Sequence, residues 1–309
     1  MIALKSQQRG FLLNPYRFAV GGGGTVKAIF GYGGTGGAIY SMTNLVSNTG
    51  VVSSDTTGVG TPRDGLAAAG YGTDKALFGY GAADGGYARS MTNKVSNTGV
   101  VASDTTGVGK ARRRLAAAGY GTDKALFGYG YEGGYLSMTN LVSNTGVVAS
   151  DTTGVGTARI RLAAAGYGTD KALFGYGEIS GSVSMTNLVS NTGVVASDTT
   201  GVGTARYDLA AAGYGSDKSI FGYGRASVAG SVTNLVSNTG VVSSDTTGVG
   251  TPRDGLAAAG YADKAIFGYG WSTALTSITN LVSNTGIVAT DTTGVGTARI
   301  ELAAASYGT

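Results

Sequence analysis

The chain contains neither cysteine nor histidine in 309 residues. Without cysteine there is no disulfide, no thiolate nucleophile, and no sulfur ligand for zinc or an iron–sulfur cluster. Without histidine there is no Ser-His-Asp triad, no histidine metal site and no acid–base group of ordinary value near neutral pH. Charge is also scarce. Charged residues make up 13%, about half the usual share, and the net charge of +4 is interspersed along the chain, which leaves no basic footprint for nucleic acid. No apolar run approaches the roughly 20 residues of a membrane helix. The N-terminal MIALKSQQRGFLLNPYRFAV is broken by Asn14 and Pro15 and lacks the apolar stretch of a signal peptide. Proline occurs 3 times and glycine 56 times, without the triplet period of collagen. The hydrophobic fraction of 42% is ordinary, so a chain of this length can bury a core and disorder is disfavoured.

Self-similarity dominates what is present. Phe-Gly-Tyr-Gly begins at Phe30, Phe78, Phe127, Phe174, Phe221 and Phe267. Asp-Thr-Thr-Gly-Val-Gly begins at Asp55, Asp104, Asp151, Asp198, Asp245 and Asp291. Two independent landmarks thus agree on six copies of about 47 residues. The copy spanning 162–208 divides at glycine-rich turns into four short apolar segments, 162–167, 172–176, 185–190 and 194–200, each of strand length. The Leu-Ala-Ala-Ala runs stop at glycine after four residues, too short for a helix. Asn191-Thr192-Gly193 and Gly168-Thr169-Asp170 fit hairpin loops in which glycine takes the left-handed position that β-branched residues avoid.

Four antiparallel strands in about 47 residues predict a β-propeller blade. Small residues such as Ala67, Ala68 and Ala69 suit a first strand near the axis, where blades converge. The expected fold is therefore all-β, a six-bladed propeller of four-stranded antiparallel blades over 26–309. Residues 18–27 align without a gap with 66–75, and 302–307 supplies another first strand. The expectation is that the C-terminal strand closes the first blade and that 1–25 forms an N-terminal arm; the alternative puts 18–20 in the inner position.

The copies also resemble a kelch repeat, in Pro62-Arg63, in the small-residue strand 66–69 and in Ile29-Phe30-Gly31. They depart from it in having Gly-Tyr-Gly for a double glycine and no tryptophan on the outer strand. Some kelch-like propellers are copper oxidases, but that resemblance requires histidine ligands, which are absent here. The near-identical copies, Thr-Asn-Leu-Val-Ser-Asn-Thr-Gly, and Leu-Leu-Asn-Pro-Tyr-Arg-Phe resemble repeat proteins of bacteriophage particles, especially tail and fibre components.

In an up-and-down blade, successive loops alternate between the two faces. The loops Gly-Thr-Asp-Lys and Ser-Asn-Thr-Gly hardly vary between copies. The segment after each Phe-Gly-Tyr-Gly varies, as does the pair after each repeated arginine, and both fall on the same predicted face. Its candidate binding residues are Tyr40, Asp64, Tyr87, Arg89, Arg113, Arg114, Tyr131, Tyr135, Arg161, Tyr207, Arg225 and Trp271, which include types enriched at binding hot spots. Drift in exposed loops is the competing explanation. The repeated Arg63, Arg112, Arg159, Arg206, Arg253 and Arg299 could ring the axial mouth and hold an anion; their match in number to Asp55 and its equivalents points instead to a structural pair. Asp74-Lys75 and its equivalents read as turn chemistry, and Phe-Gly-Tyr-Gly as core packing.

Glu132, Glu178 and Glu301 are the only glutamates and lie in different copies, which leaves no evident carboxylate pair for glycoside hydrolysis. The sequence-level expectation is a non-enzymatic structural or binding component of a virion, with no cofactor and no metal. The arm would meet other virion proteins and the variable face a host-surface glycan or protein, without nucleic acid or membrane insertion. The alternatives are a soluble carbohydrate-binding lectin and an intracellular kelch adaptor.

Overall fold

The computed structural model describes residues 26–308, so the expected arm over 1–25 lies outside the described residues. The chain opens with β1 (Lys27–Gly31) and β2 (Thr43–Val46). Five triplets follow: β3 (Ala67–Tyr71), β4 (Lys75–Gly79) and β5 (Thr92–Val95); β6 (Ala116–Tyr120), β7 (Lys124–Tyr131) and β8 (Tyr135–Val142); β9 (Ala163–Tyr167), β10 (Lys171–Glu178) and β11 (Ser182–Val189). The last two are β12 (Ala210–Tyr214), β13 (Lys218–Gly222) and β14 (Thr233–Val236), then β15 (Ala257–Tyr261), β16 (Lys264–Gly268) and β17 (Thr279–Val282); β18 (Ala303–Tyr307) ends the series. Each triplet is a three-stranded antiparallel sheet, and β18 pairs antiparallel with β1 to make the sixth sheet, Lys27 opposite Tyr307 and Gly31 opposite Ala303. The protein is all-β, with an arrangement compatible with a propeller.

The sequence of each strand follows from what covers it. Middle strands such as KALFG are buried at every position after the lysine, because neighbouring sheets cover both faces, and they read as continuous apolar runs. First strands such as AAAGY alternate buried and half-buried residues. Each first strand contacts its counterparts in the two adjoining sheets, in the order β3, β6, β9, β12, β15, β18 and back to β3, an approach made with small side chains, Ala and Gly, and Ser306 in β18. The six apolar clusters of the core each draw on two successive sheets. Phe-Gly-Tyr-Gly acts at those seams. A Cβ on Gly79 would lie 2.6 Å from Cζ of Phe127 in the next sheet, so the missing side chain seats the neighbour's ring. Phe127 in turn packs at 5.0 Å against Tyr80. That tyrosine has a left-handed backbone (φ 64°), a conformation costing about 1–3 kcal/mol, and it is held by complete burial and a hydroxyl that donates to the Val108 carbonyl at 3.1 Å.

The expected fourth strand is not present as a strand. The segment 194–200 makes two isolated bridges, Val195 to Val189 and Thr199 to Thr186. Between these bridges three residues, 196–198, face two, 187–188, so the ladder cannot run through. The Asn187 side chain fills the gap, donating from Nδ2 to the Ala196 carbonyl at 3.0 Å and to Asp198 Oδ1 at 2.8 Å. The hairpin reading needs a second correction. Gly168 is left-handed as expected (φ 60°), yet Thr169 beside it is left-handed too (φ 72°), as are Thr73 and Thr122. The Thr122 hydroxyl turns back onto the Gly121 carbonyl at 2.6 Å.

The repeated arginines form no ring at a mouth. All six are 0–1% exposed, each lodged between two sheets. Arg159 lies 4.5 Å above the Tyr129 ring of one sheet. Toward the next sheet it donates from Nε to the Tyr176 carbonyl at 2.8 Å and from Nη2 to Asn187 Oδ1 at 2.7 Å. The aspartate pairing is real but long, 3.7 Å from Arg159 to Asp198. Asp198 chiefly accepts from Asn187 and from the Thr157 backbone and hydroxyl. Burial opposes its ionisation, but these hydrogen bonds and Arg159 outweigh it and hold the carboxyl below its ordinary value. Burial likewise pushes Tyr80 up to about 12, against the pull of Arg112.

Asn140 receives the Arg112 guanidinium at 2.6 Å. Asn140→Ala strips a buried charge of its acceptor and is expected to lower unfolding free energy by about 2–3 kcal/mol, read from urea melts. Thr122→Gly relieves a left-handed β-branched residue and should raise stability by about 1 kcal/mol, with an unchanged circular dichroism spectrum.

Candidate variable face

The two variable stretches meet through main-chain bridges. Asp64 pairs with Ala82, Arg113 with Tyr131, Ile160 with Glu178, Tyr207 with Arg225, Asp254 with Trp271, and Ile300 with Gly34. The residue after each of these turns inward and joins a cycle. Gly65 N–H donates to the Glu301 carbonyl, Glu301 to Gly255, Gly255 to Asp208, Asp208 to Arg161, Arg161 to Arg114, and Arg114 back to Gly65, all at 2.7–3.0 Å. All six have left-handed backbones, φ 51–62°. Beneath them a cavity of about 90 Å³ is walled by six leucines, among them Leu66 and Leu209. Because the cycle uses only main-chain atoms, its side chains are free to differ.

These side chains make a polar mouth of mixed sign. Arg161 Nη1 donates to Glu178 Oε2 at 2.9 Å, its Nε lies 3.5 Å from Asp208 Oδ2, and its guanidinium sits 5.3 Å from the Tyr207 ring. Arg114 pairs with Glu301 at 3.5 Å. Burial raises the Asp208 carboxyl to about 7; Arg161 opposes this, while Glu301 and Asp254 add to it. Burial and Glu301 raise Asp64 to about 6, opposed by Arg114 and Arg113.

The candidate residues fall into separate groups. Asp64, Arg113 and Arg114 share one recess with Glu301. Tyr131 packs 6.0 Å from Tyr135, with the Arg113 guanidinium 6.0 Å from its ring. Arg161 and Tyr207 meet at the mouth. Arg225 donates to Asp254 Oδ2 at 3.1 Å, and the Asp254 main chain bridges to Trp271, which is 41% exposed. Tyr87 is 68% exposed. The Arg89 guanidinium donates to its neighbour's carbonyl, Ala88 O at 3.3 Å, and half-buried Tyr40 contributes main-chain bonds to Gly33 and Arg63. Sequence reasoning missed Glu301, Asp208 and Asp254 as partners of the arginines. It also missed Asn187 and its equivalents, although asparagine in every copy of a strand, where it is normally depleted, was a usable signal.

The opposite, constant face is built differently. Gly72 N–H donates to Asp123 O in the next sheet, and the series runs through Gly121, Gly168, Gly215 and Ala262 to Gly308, which donates to Asp74 O. Ala262 donates to Val26 O, where the other copies have aspartate. An axial cavity of about 340 Å³ opens here, lined in part by Lys124, Lys171, Lys218 and Val26. The lysines pair with the preceding aspartates, as Lys75 with Asp74 at 2.6 Å. Val51, Val100, Val147, Val194, Val241 and Ile287, next to the Asn-Thr-Gly turns, are 61–69% exposed. Among the described residues no group of three or more Asp or Glu side chains is placed to hold a metal ion.

No protein-family model and no curated protein sequence matches the chain.

The raised Asp208 carboxyl has a definite sign. Its contribution to stability is fully present below about pH 4 and is lost as the pH rises through about 7. Relative to Asp208→Asn, the parent protein should therefore lose thermal stability between pH 4 and 8, as followed by differential scanning calorimetry.

Proposed function

We propose that the six sheets are blades of a six-bladed kelch-like propeller closed by β18, and that the protein is a non-enzymatic structural and binding component of a bacteriophage virion, tail or fibre associated. Its variable face would meet a host receptor or a neighbouring subunit. The observation that carries this reading is the segregation of repeat divergence. The copies differ where the main-chain cycle leaves side chains free, and there they have acquired Tyr87, Tyr135 and Trp271 as exposed aromatics. The constant face keeps six exposed Val or Ile side chains in equivalent positions, although burial within the chain gives no reason to retain them. Val26, where the described chain begins, lines the axial cavity of that same face. Attachment through the constant face and the residues preceding it would leave the variable face outward. The two hydrogen-bonded cycles support a rigid disc as the presenting module.

The test is immunogold electron microscopy of the native source with antibody to the purified protein, alongside a variant lacking residues 1–24. Label on particles, and a deleted protein that melts normally but no longer joins them, is the expected result. Label confined to cells or soluble material overturns the virion reading.

A further inference from the structure

One recess on the variable face combines charges of both signs with bare main chain. It is a cavity of about 240 Å³ between the segments that follow the first two Phe-Gly-Tyr-Gly motifs, lined by Asp64, Asp84, Arg113, Arg114, Glu301 and glycines of both segments. A Cβ on Gly36 or Gly37 would meet nothing within 4 Å, so that wall presents peptide backbone to the cavity. Arg114 is committed to Glu301 at 3.5 Å. Arg113 makes no ion pair among the described residues, and its Nη1 lies 3.3 Å from where a Gly86 Cβ would stand. Tyr87 covers Gly85 at the rim, Cε2 2.8 Å from the ideal Cβ position, and is 68% exposed.

We infer that this recess binds a carboxylated sugar, a uronic or sialic acid unit of a surface polysaccharide. The inference rests on the proposal that the variable face is the binding face. Arg113 supplies the guanidinium fork that matches a carboxylate. Asp64 and Glu301 accept hydrogen bonds from ring hydroxyls, and the exposed Tyr87 ring stacks on the apolar face of the sugar. Three acidic side chains in the wall, Asp64, Asp84 and Glu301, disfavour a dianion such as a phosphate monoester, whereas a monoanion carrying several hydroxyls meets both the guanidinium of Arg113 and the carboxylates. The repeat comparison points the same way: no other copy places two consecutive arginines after its repeated arginine.

The test is a glycan array probed with the full chain, pairing oligosaccharides that end in glucuronic, galacturonic or N-acetylneuraminic acid with their carboxyl-reduced counterparts. Acidic glycans should bind at least tenfold more tightly than the reduced ones. Arg113→Gln and Tyr87→Ala should each lose at least tenfold with unchanged melting, and Lys171→Ala on the constant face should lose nothing. Equal binding of reduced glycans, or full binding by Arg113→Gln, overturns the inference. If the protein binds no saccharide yet still blocks particle adsorption to cells, the sugar inference fails while the binding face stands; if it does neither, both fail.

Discussion

Burying a guanidinium carries a desolvation penalty of several kcal/mol, and this chain does so six times. The penalty is offset only where two sheets meet. The tyrosine ring beneath Arg206 belongs to the sheet of β10, while Asn234, which takes its Nη2 at 2.7 Å, belongs to the sheet of β13. An isolated copy would leave its arginine half-solvated and half-paired, so no sheet is complete alone. The Phe-into-Gly seams obey the same logic, since Phe174 is seated by Gly128 of the preceding sheet. Repeat architectures of this kind draw stability from neighbour interfaces rather than from the unit, and here the interface is polar at one radius and aromatic at another.

The two faces differ in what their hydrogen-bonded cycles demand of side chains. On the constant face the turn must pass two left-handed residues in succession. A Cβ on Gly168 would also lie 2.7 Å from the Asn238 carbonyl of the next copy. Residue identity is therefore constrained by sterics. On the variable face the cycle asks only for a left-handed backbone, which Gly65, Arg114, Asp208 and Glu301 all supply. Divergence there is physically permitted, and that permission is what allows a repeated scaffold to carry a site without six-fold symmetry. The recess around Arg113 and the Arg225–Asp254 pair beside Trp271 occupy different sectors for this reason.

Aromatic residues divide along the same line. Tyrosines of Phe-Gly-Tyr-Gly are fully buried and hydrogen-bonded to valine carbonyls, whereas Tyr87 and Tyr135, arising after that motif, reach solvent. A tyrosine near the motif is thus structural or surface-presented according to two or more residues of spacing.

Spacing and composition by themselves determined the six copies, the all-β class, the places of the first three strands in each copy and the division into a varying and an unvarying set of loops, because these depend on local periodicity and on glycine placement. The pairing of β18 with β1 was also legible, since 302–307 repeats a first strand. Only the tertiary structure decided the rest. The fourth segment looked like a strand, but a one-residue mismatch against its partner breaks the ladder, and the mismatch is visible only when Val189, Thr186, Val195 and Thr199 are paired in space. The repeated arginines read as partners of the repeated aspartates rather than as a ring at the mouth, and that pairing exists; their burial against the tyrosine of one copy and beside the asparagine of another is a contact between residues far apart in the chain. Which variable side chains share a recess was decided the same way, by a backbone cycle whose donors and acceptors belong to different copies, Gly65 and Glu301 being the first and last of them, a separation over which sequence pattern carries no direction.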